Sequence, residues 1–217
     1  MKTVGIFAPA RLGSERLPRK HLLPIGDTCM FDICCKKLQR LKVEYNIPTY
    51  VLICDEELIE IAKKYPEVTI LYRDIATSQA DGPLQFIYKD ILDTDEDYMM
   101  FLNPCLIFLS CETIVANVEK FKSSDKEYGT SVKEFKNWLW NKEEKLVNYL
   151  DYKRMSTKEI DPWYQCAHGF HVFNKHNFSV DGCMIKEDLC LMPISEEEAI
   201  DIDEYHEYEF AKWKWEH

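Results

Sequence analysis

No two of the nine cysteines in this 217-residue sequence stand in a C-x-x-C spacing, and nine is an odd number. A disulfide framework and a structural zinc site therefore lack their usual sequence support, and reduced thiols in a cytosolic core are the expectation. No stretch approaches the roughly 18 uninterrupted apolar residues of a membrane span, so no membrane insertion is expected. The run from Thr3 to Ala8 is too short for a secretory signal, which makes the cytoplasm the expected location. Positive charge is also scarce: 27 Lys and Arg stand against 38 Asp and Glu, for a formal net charge of -11. A surface that coats nucleic acid must neutralise phosphates over a broad area, so no nucleic-acid partner is expected. The G-x-x-x-x-G-K-S/T and G-x-G-x-x-G spacings are missing as well, which removes the Walker and dinucleotide fingerprints.

What is present suits one ordered globule. With 46% hydrophobic and 30% charged residues the composition lies well away from disorder. The length suits a single α/β domain over residues 1–217 with a substantial buried centre. Thr3 to Ala8 reads as a buried strand, Phe31 to Leu41 as a helix, Ile47 to Cys54 as a strand and Asp55 to Lys64 as an acidic helix. That alternation builds a parallel sheet covered on both faces. It continues with strands at 68–72 and 98–102, a helix from Pro83 to Leu92, and a helix near Glu112 capped by Ser110. Residues 128–167 change character and read as a β-rich extension followed by a mobile polar segment. In that extension Trp138, Trp140, Leu146 and Tyr149 either fill a subsidiary core or form a subunit contact. Strands at 168–173 and 188–194 and a final helix from Ile202 to Trp215 complete the pattern.

The densest group of cations follows the first strand. Gly13 and Ser14 can turn backbone N–H groups outward there, while Arg11, Arg16, Arg19 and Lys20 can neutralise several phosphate oxygens in one place. The alternative is a solvated basic loop. Near the other end, Asp201 and Asp203 alternate with Ile200 and Ile202, so in an extended chain both carboxylates face one side and can share one hard cation such as Mg2+. The alternative is that Asp203 caps the last helix and Asp201 is solvated. His21 reads as a surface or turn residue, and Arg73 as either a nucleotide contact or a salt-bridge partner. His168 and His171, three apart on a strand, should point to opposite faces and form no ready zinc pair. Asp81 and Gly82 either shape an acceptor pocket or start the next helix.

These landmarks, in order, resemble the cytidylyltransferases that activate acidic sugars, the CMP-sialic acid and CMP-KDO synthetases. The resemblance is carried by the run from Ile6 to Ser14 with Leu17-Pro18-Arg19-Lys20, by Cys54 to Ala62, by Asn103-Pro104 after an apolar strand, and by Ile200-Asp201-Ile202-Asp203. It implies a three-layer α/β/α Rossmann-like nucleotidyltransferase core with a small β-rich dimerisation extension, CTP as donor, and a homodimer. It implies further that Ala8, Ala10, Arg11, Gly13, Ser14, Arg16, Lys20, Arg73 and Asn103 line the nucleotide. Arg11 and Lys20 would hold or activate its phosphates, and Asp201 and Asp203 would hold Mg2+, Asp203 acting in catalysis with Arg11 and Lys20. The chain departs from the family at Glu15-Arg16, His21 and Cys105-Leu106-Ile107, so the acceptor-reading part diverges more than the nucleotide part. The expected reaction is Mg2+-dependent transfer of CMP from CTP to an anionic small molecule. An acidic sugar is the first choice, and a sugar phosphate or a phosphorylated non-sugar metabolite the alternative. A nucleotide-binding regulatory protein without turnover is the alternative from another class. Trp163 to Phe173, with Lys153, Arg154 and Lys158 before it, reads either as a segment closing over the acceptor or as a surface loop.

Overall fold

The computed structural model describes residues 2–79, 82–148, 157–158 and 161–217. Strand β1 (Val4–Pro9) is buried over its first five residues, because its apolar side chains meet a covered layer on both faces. A long loop, a 3-10 turn at Lys20–Leu22 and the hairpin of β2 (Pro24–Ile25) and β3 (Thr28–Cys29) lead into α1 (Met30–Tyr45). Helix α1 buries Phe31, Cys34, Cys35, Leu38 and Leu41, the same stripe that its spacing predicts. It ends at Asn46, whose left-handed φ of 53° returns its N–H to the carbonyls of Leu41 and Lys42. Then follow β4 (Thr49–Ile53), α2 (Glu56–Ala62), β5 (Thr69–Tyr72), α3 (Ile75–Gln79), α4 (Leu84–Ile87), β6 (Tyr98–Leu102) and α5 (Cys111–Ser123). The chain closes with β7 (Tyr128–Phe135), β8 (Trp163–Asn174), α6 (Lys175–Asp181), β9 (Cys190–Pro193) and α7 (Tyr205–Glu216).

Seven strands form one sheet in the order β5-β4-β1-β6-β8-β7-β9, with β8 antiparallel to its neighbours and every other pair parallel. Alternate residues feed two cores. Ile6, Val51, Met100 and Val172 pack on one face with Phe31, Leu38, Ile114 and Phe121 of α1 and α5. Phe7, Leu52, Met99 and Phe173 pack on the other with Ile91 and Phe178. Each such side chain removed from water stabilises the fold by about 1.5–3 kcal/mol. A third cluster, with Leu17, Ile25, Ile33, Ile107, Ile202 and Tyr208, fastens α7 and the first loop to the carboxyl end of the sheet. The result is the three-layer, mostly parallel α/β/α core expected from the sequence.

Three boundaries differ from expectation. The helix expected over 83–92 is broken into α4 and a 3-10 turn at Lys89–Asp93, with Tyr88 between them at φ -114°, ψ 27°. The extension does not begin at 128: Gly129 to Val132 lie in the central sheet between β8 and β9, and only 133–135 and 163–165 run on as a two-stranded ribbon. Gly129 packs closely there: a Cβ would stand 2.7 Å from Met192 Cε and 3.2 Å from Phe121 Cδ2, so a larger residue would force those side chains to shift. Residues 163–167, placed in the mobile segment by sequence, belong to β8. Beyond the ribbon, Trp140 and Leu146 form an isolated bridge in an exposed turn, while Asp81, Tyr149, Lys153 and Arg154 lie outside the described residues.

Candidate active site

In an open parallel sheet, ligands settle beyond the carboxyl ends of the strands where the winding order reverses. Here that point lies between β1 and β6, because β4 and β5 extend the sheet on one side of β1 and β6 opens the other. A cavity of about 540 Å³ opens there, lined by Ala10, Arg11, Ser14, Arg16 and Lys20 from the loop after β1 and by Asn103, Pro104 and Cys105 after β6. Arg73, Tyr88 and Phe101 line it too. The first loop is held by the Leu12 N–H donating to Asp55 Oδ2 at 3.2 Å and by the Ala10 N–H donating to the Leu52 carbonyl at 3.2 Å.

Arg73 is the most informative side chain in the cavity. It is 8% exposed, its Nη2 donates to the Thr77 carbonyl at 2.8 Å, its guanidinium lies 5.4 Å from the Tyr88 ring centre, and its Nε has no partner. Among the described residues no carboxylate stands within ion-pair distance of it. Burial holds its pKa below the ordinary arginine value, with Arg11 adding to the repulsion. Arg11 is exposed and donates to the Ser78 carbonyl at 2.8 Å. Two cations facing one cavity, one of them buried and, among the described residues, in no ion pair, form an arrangement suited to an anion.

The late acidic pair does not itself line the cavity; it meets the first loop behind Arg16 and Lys20, which do. Asp203 accepts from Arg16 Nη2 at 2.6 Å and from Lys20 Nζ at 2.7 Å. Those contacts hold its pKa below the ordinary carboxylate range against the opposing effect of burial. Burial also opposes the charge of Lys20, yet its pKa is raised; Cys105 is held as the neutral thiol, up to about 11, so the charge that favours Lys20 is that of Asp203. Asp203 does not cap α7. Glu204 is the N-cap, and Glu207 Oε2 accepts the N–H groups of Asp203 and Glu204, each at 2.8 Å, in a capping box. Asp201 lies deeper, and burial followed by the charge of Asp203 raises its pKa. Its Oδ2 accepts from Asn103 Nδ2 at 3.2 Å, while its Oδ1 is buried without a partner. Ligand atoms of Asp201, Asp203 and Cys105 lie within 4.8 Å of one another. Two carboxylates with one unpartnered oxygen fit a hard, oxygen-seeking cation.

The residues expected at the site are thus mostly brought together. Ala8 is buried in β1 behind the cavity, and Gly13 is exposed, with open space where a Cβ would stand and no left-handed φ. Neither lines the cavity. His21 is corrected from a surface residue to a buried one, with Nδ1 unpartnered and its pKa pushed down to about 3 by burial and the nearby Lys20. Sequence reasoning passed over Lys37, whose Nζ reaches from α1 to the carbonyls of Leu106 at 3.0 Å and Ile107 at 2.6 Å and so shapes the loop below Asn103. Its place on the helix face toward that loop follows the α1 periodicity.

The expectation for His168 and His171 is overturned. Between the pairs Thr130↔His171 and Val132↔Cys166, Ala167 to Phe170 of β8 stand opposite Ser131 alone, and His168 takes a φ of 52°. This bulge cancels strand alternation. The two rings lie 6.0 Å apart, and ligand atoms of Cys166, His168 and His171 fall within 4.8 Å of one another. His171 stacks on Phe101 at 5.9 Å, donates to or accepts from the Thr130 hydroxyl through Nδ1 at 2.8 Å, and burial pushes its pKa down to about 4.

A family model described as cytidylyltransferase matches residues 6–181. Among solved structures, the chain is similar to CMP:2-keto-3-deoxy-manno-octonic acid synthetase complexed with CTP, with a TM-score of 0.69 at 13% identity over 99% of this chain and 98% of that one. It is similar to 4-diphosphocytidyl-2C-methyl-D-erythritol synthase from Anaerococcus prevotii, with a TM-score of 0.67 at 13% identity over 100% and 97% of the two chains. A cytidylyltransferase from Leptospira borgpetersenii gives 0.64 at 20% identity over 98% and 86%. At these identities the structural likeness speaks for the fold. No curated protein sequence matches the chain.

Proposed function

Since the chain belongs to the cytidylyltransferase family, we propose that it transfers CMP from CTP to an anionic small molecule, with an acidic sugar as the first choice, in a Mg2+-dependent reaction that releases pyrophosphate. The buried Arg73, facing the cavity beside Arg11 with no carboxylate in ion-pair distance among the described residues, is the observation that carries this reading. A triphosphate laid along the first loop would meet Arg11, Arg73, Arg16 and Lys20 within one cavity. It would draw Arg16 and Lys20 from Asp203 and leave that carboxylate beside Asp201. Mg2+ held by Asp201 and Asp203 would supply charge neutralisation at the phosphate oxygens.

In the proposed reaction an acceptor oxygen attacks the α-phosphorus, forming the new P–O bond as the bridging P–O bond to the β-phosphate breaks. The electron pair and negative charge leave with pyrophosphate. Arg11, Lys20 and Arg73 act by binding and by stabilising that departing charge, and Asn103 holds the Asp201 side chain in place. If the acceptor oxygen belongs to a hydroxyl, its proton passes to water.

The experiment is the equilibrium dissociation constant of CTP for wild type and for Arg73→Gln. Losing a charge-assisted contact worth about 1.5–3 kcal/mol should weaken binding by about ten- to a hundredfold, with the fold retained. An unchanged dissociation constant would remove Arg73 from the nucleotide site and with it the main support for this reading.

A further inference from the structure

We propose that Cys166, His168 and His171 form a binding site for a thiophilic divalent cation of the zinc class, beside the cavity and separate from the carboxylate pair. With Zn–S near 2.3 Å and Zn–N near 2.0–2.1 Å in a tetrahedral shell, a sulfur and a nitrogen sharing one ion stand about 3.6 Å apart. Cys166 Sγ and His168 Nδ1 are 3.6 Å apart. The ligand atom of His171 lies within 4.8 Å of both.

Supporting contacts fix the ligands. The Thr130 hydroxyl, buried in β7, bonds Nδ1 of His171 at 2.8 Å and lies 3.6 Å from Cys166 Sγ, an outer-shell contact that orients both side chains. The backbone of the bulge is held just as firmly. Ser131 Oγ accepts from the N–H groups of Gly169 at 2.9 Å and Phe170 at 3.0 Å, and Asn103 Nδ2 donates to the His168 carbonyl at 3.2 Å. A left-handed histidine costs about 1–3 kcal/mol and persists only where its surroundings impose it. Gly169 packs closely beside it, since a Cβ there would stand 2.9 Å from Leu106 Cδ2, so a larger residue would force that side chain to move. One thiolate and two imidazoles select zinc, cobalt or copper over magnesium. Three protein ligands leave a fourth position for an exchangeable group. The site faces the cavity side of the sheet, since His171 stacks on Phe101, a lining residue.

The test uses the full chain, stripped with a chelator and titrated with Co2+ alone, then with Zn2+. One equivalent of Co2+ should bring up visible d–d bands and a thiolate-to-cobalt charge-transfer band, both removed by Zn2+ and unaffected by excess Mg2+. Cys166→Ser should abolish the charge-transfer band. His168→Asn replaces an exposed residue with one that tolerates the left-handed conformation, and it should weaken Zn2+ at least tenfold. Asp203→Asn should leave Zn2+ affinity unchanged, which separates this site from the one proposed for Mg2+. No charge-transfer band in wild type, or bands that survive in both Cys166→Ser and His168→Asn, would overturn the proposal.

Discussion

His21 and Arg73 show how far single residues depart from their usual behaviour when the fold encloses them. A buried histidine whose pKa falls from 6.5 to about 3 stays neutral in the native state while the unfolded chain takes up a proton. Stability therefore rises with pH between those values: it is complete above about pH 6.5 and is lost on acidification toward pH 3, by a few kcal/mol at most, since each pKa unit is worth about 1.36 kcal/mol. His21→Asn should flatten that acid limb in urea denaturation series at pH 7, 6, 5 and 4, and an unchanged slope would show that other groups set it. Nothing in the sequence around Lys20-His21-Leu22 marks the histidine as buried. Its burial comes from packing against Phe31, a partner ten residues away whose approach only the tertiary fold defines. Arg11, Lys20, Asp201 and Asp203 were legible as charges with a common destination. Their pairing was not, because the choice between Asp203 as a cap and Asp203 as a partner for Lys20 turned on whether Glu204 and Glu207 closed the helix themselves.

At the scale of elements, strands and helices with a strong period were readable: β1, α1, β4 and β6 lie within a few residues of where apolar spacing places them. The break at Tyr88 and the bulge in β8 were not. Both are tertiary in origin, the second imposed by a serine on a neighbouring strand. Ser131 is fully buried, and its hydroxyl alone satisfies two backbone N–H groups. Ser131→Ala should therefore destabilise the protein by about 2–6 kcal/mol, since each of the two donors left unsatisfied costs about 1–3 kcal/mol. A urea midpoint at the wild-type value would mean that the bulge relaxes without it. Ser131→Thr keeps the acceptor and separates loss of the hydrogen bond from overpacking by the added methyl.

For the whole molecule, a formal charge of -11 coexists with a local cationic cavity, so the anion preference belongs to one place on an otherwise acidic surface. The ribbon of 133–135 and 163–165 carries Trp163 at 42% and Tyr164 at 41% exposure beyond the sheet, with Trp140 at 61% in the turn above. We propose these aromatics as the contact of a homodimer. Light scattering after size exclusion should give about twice the 25.7 kDa chain mass, shifted toward one chain mass by Trp163→Glu, and a single-chain mass throughout a concentration series would contradict it. The family was legible because its landmarks run in order along most of the chain. The acceptor was not, because the region that would read it departs from the pattern at Cys105-Leu106-Ile107. The most direct measurement is pyrophosphate release with CTP and Mg2+ across acidic sugars, sugar phosphates, phosphorylated non-sugar metabolites and neutral controls, read together with product mass. The expected result is release that depends on Mg2+ and on an anionic acceptor, matched one for one by a CMP-bearing product. Folded protein that binds CTP yet releases no pyrophosphate with any member of the panel would contradict it.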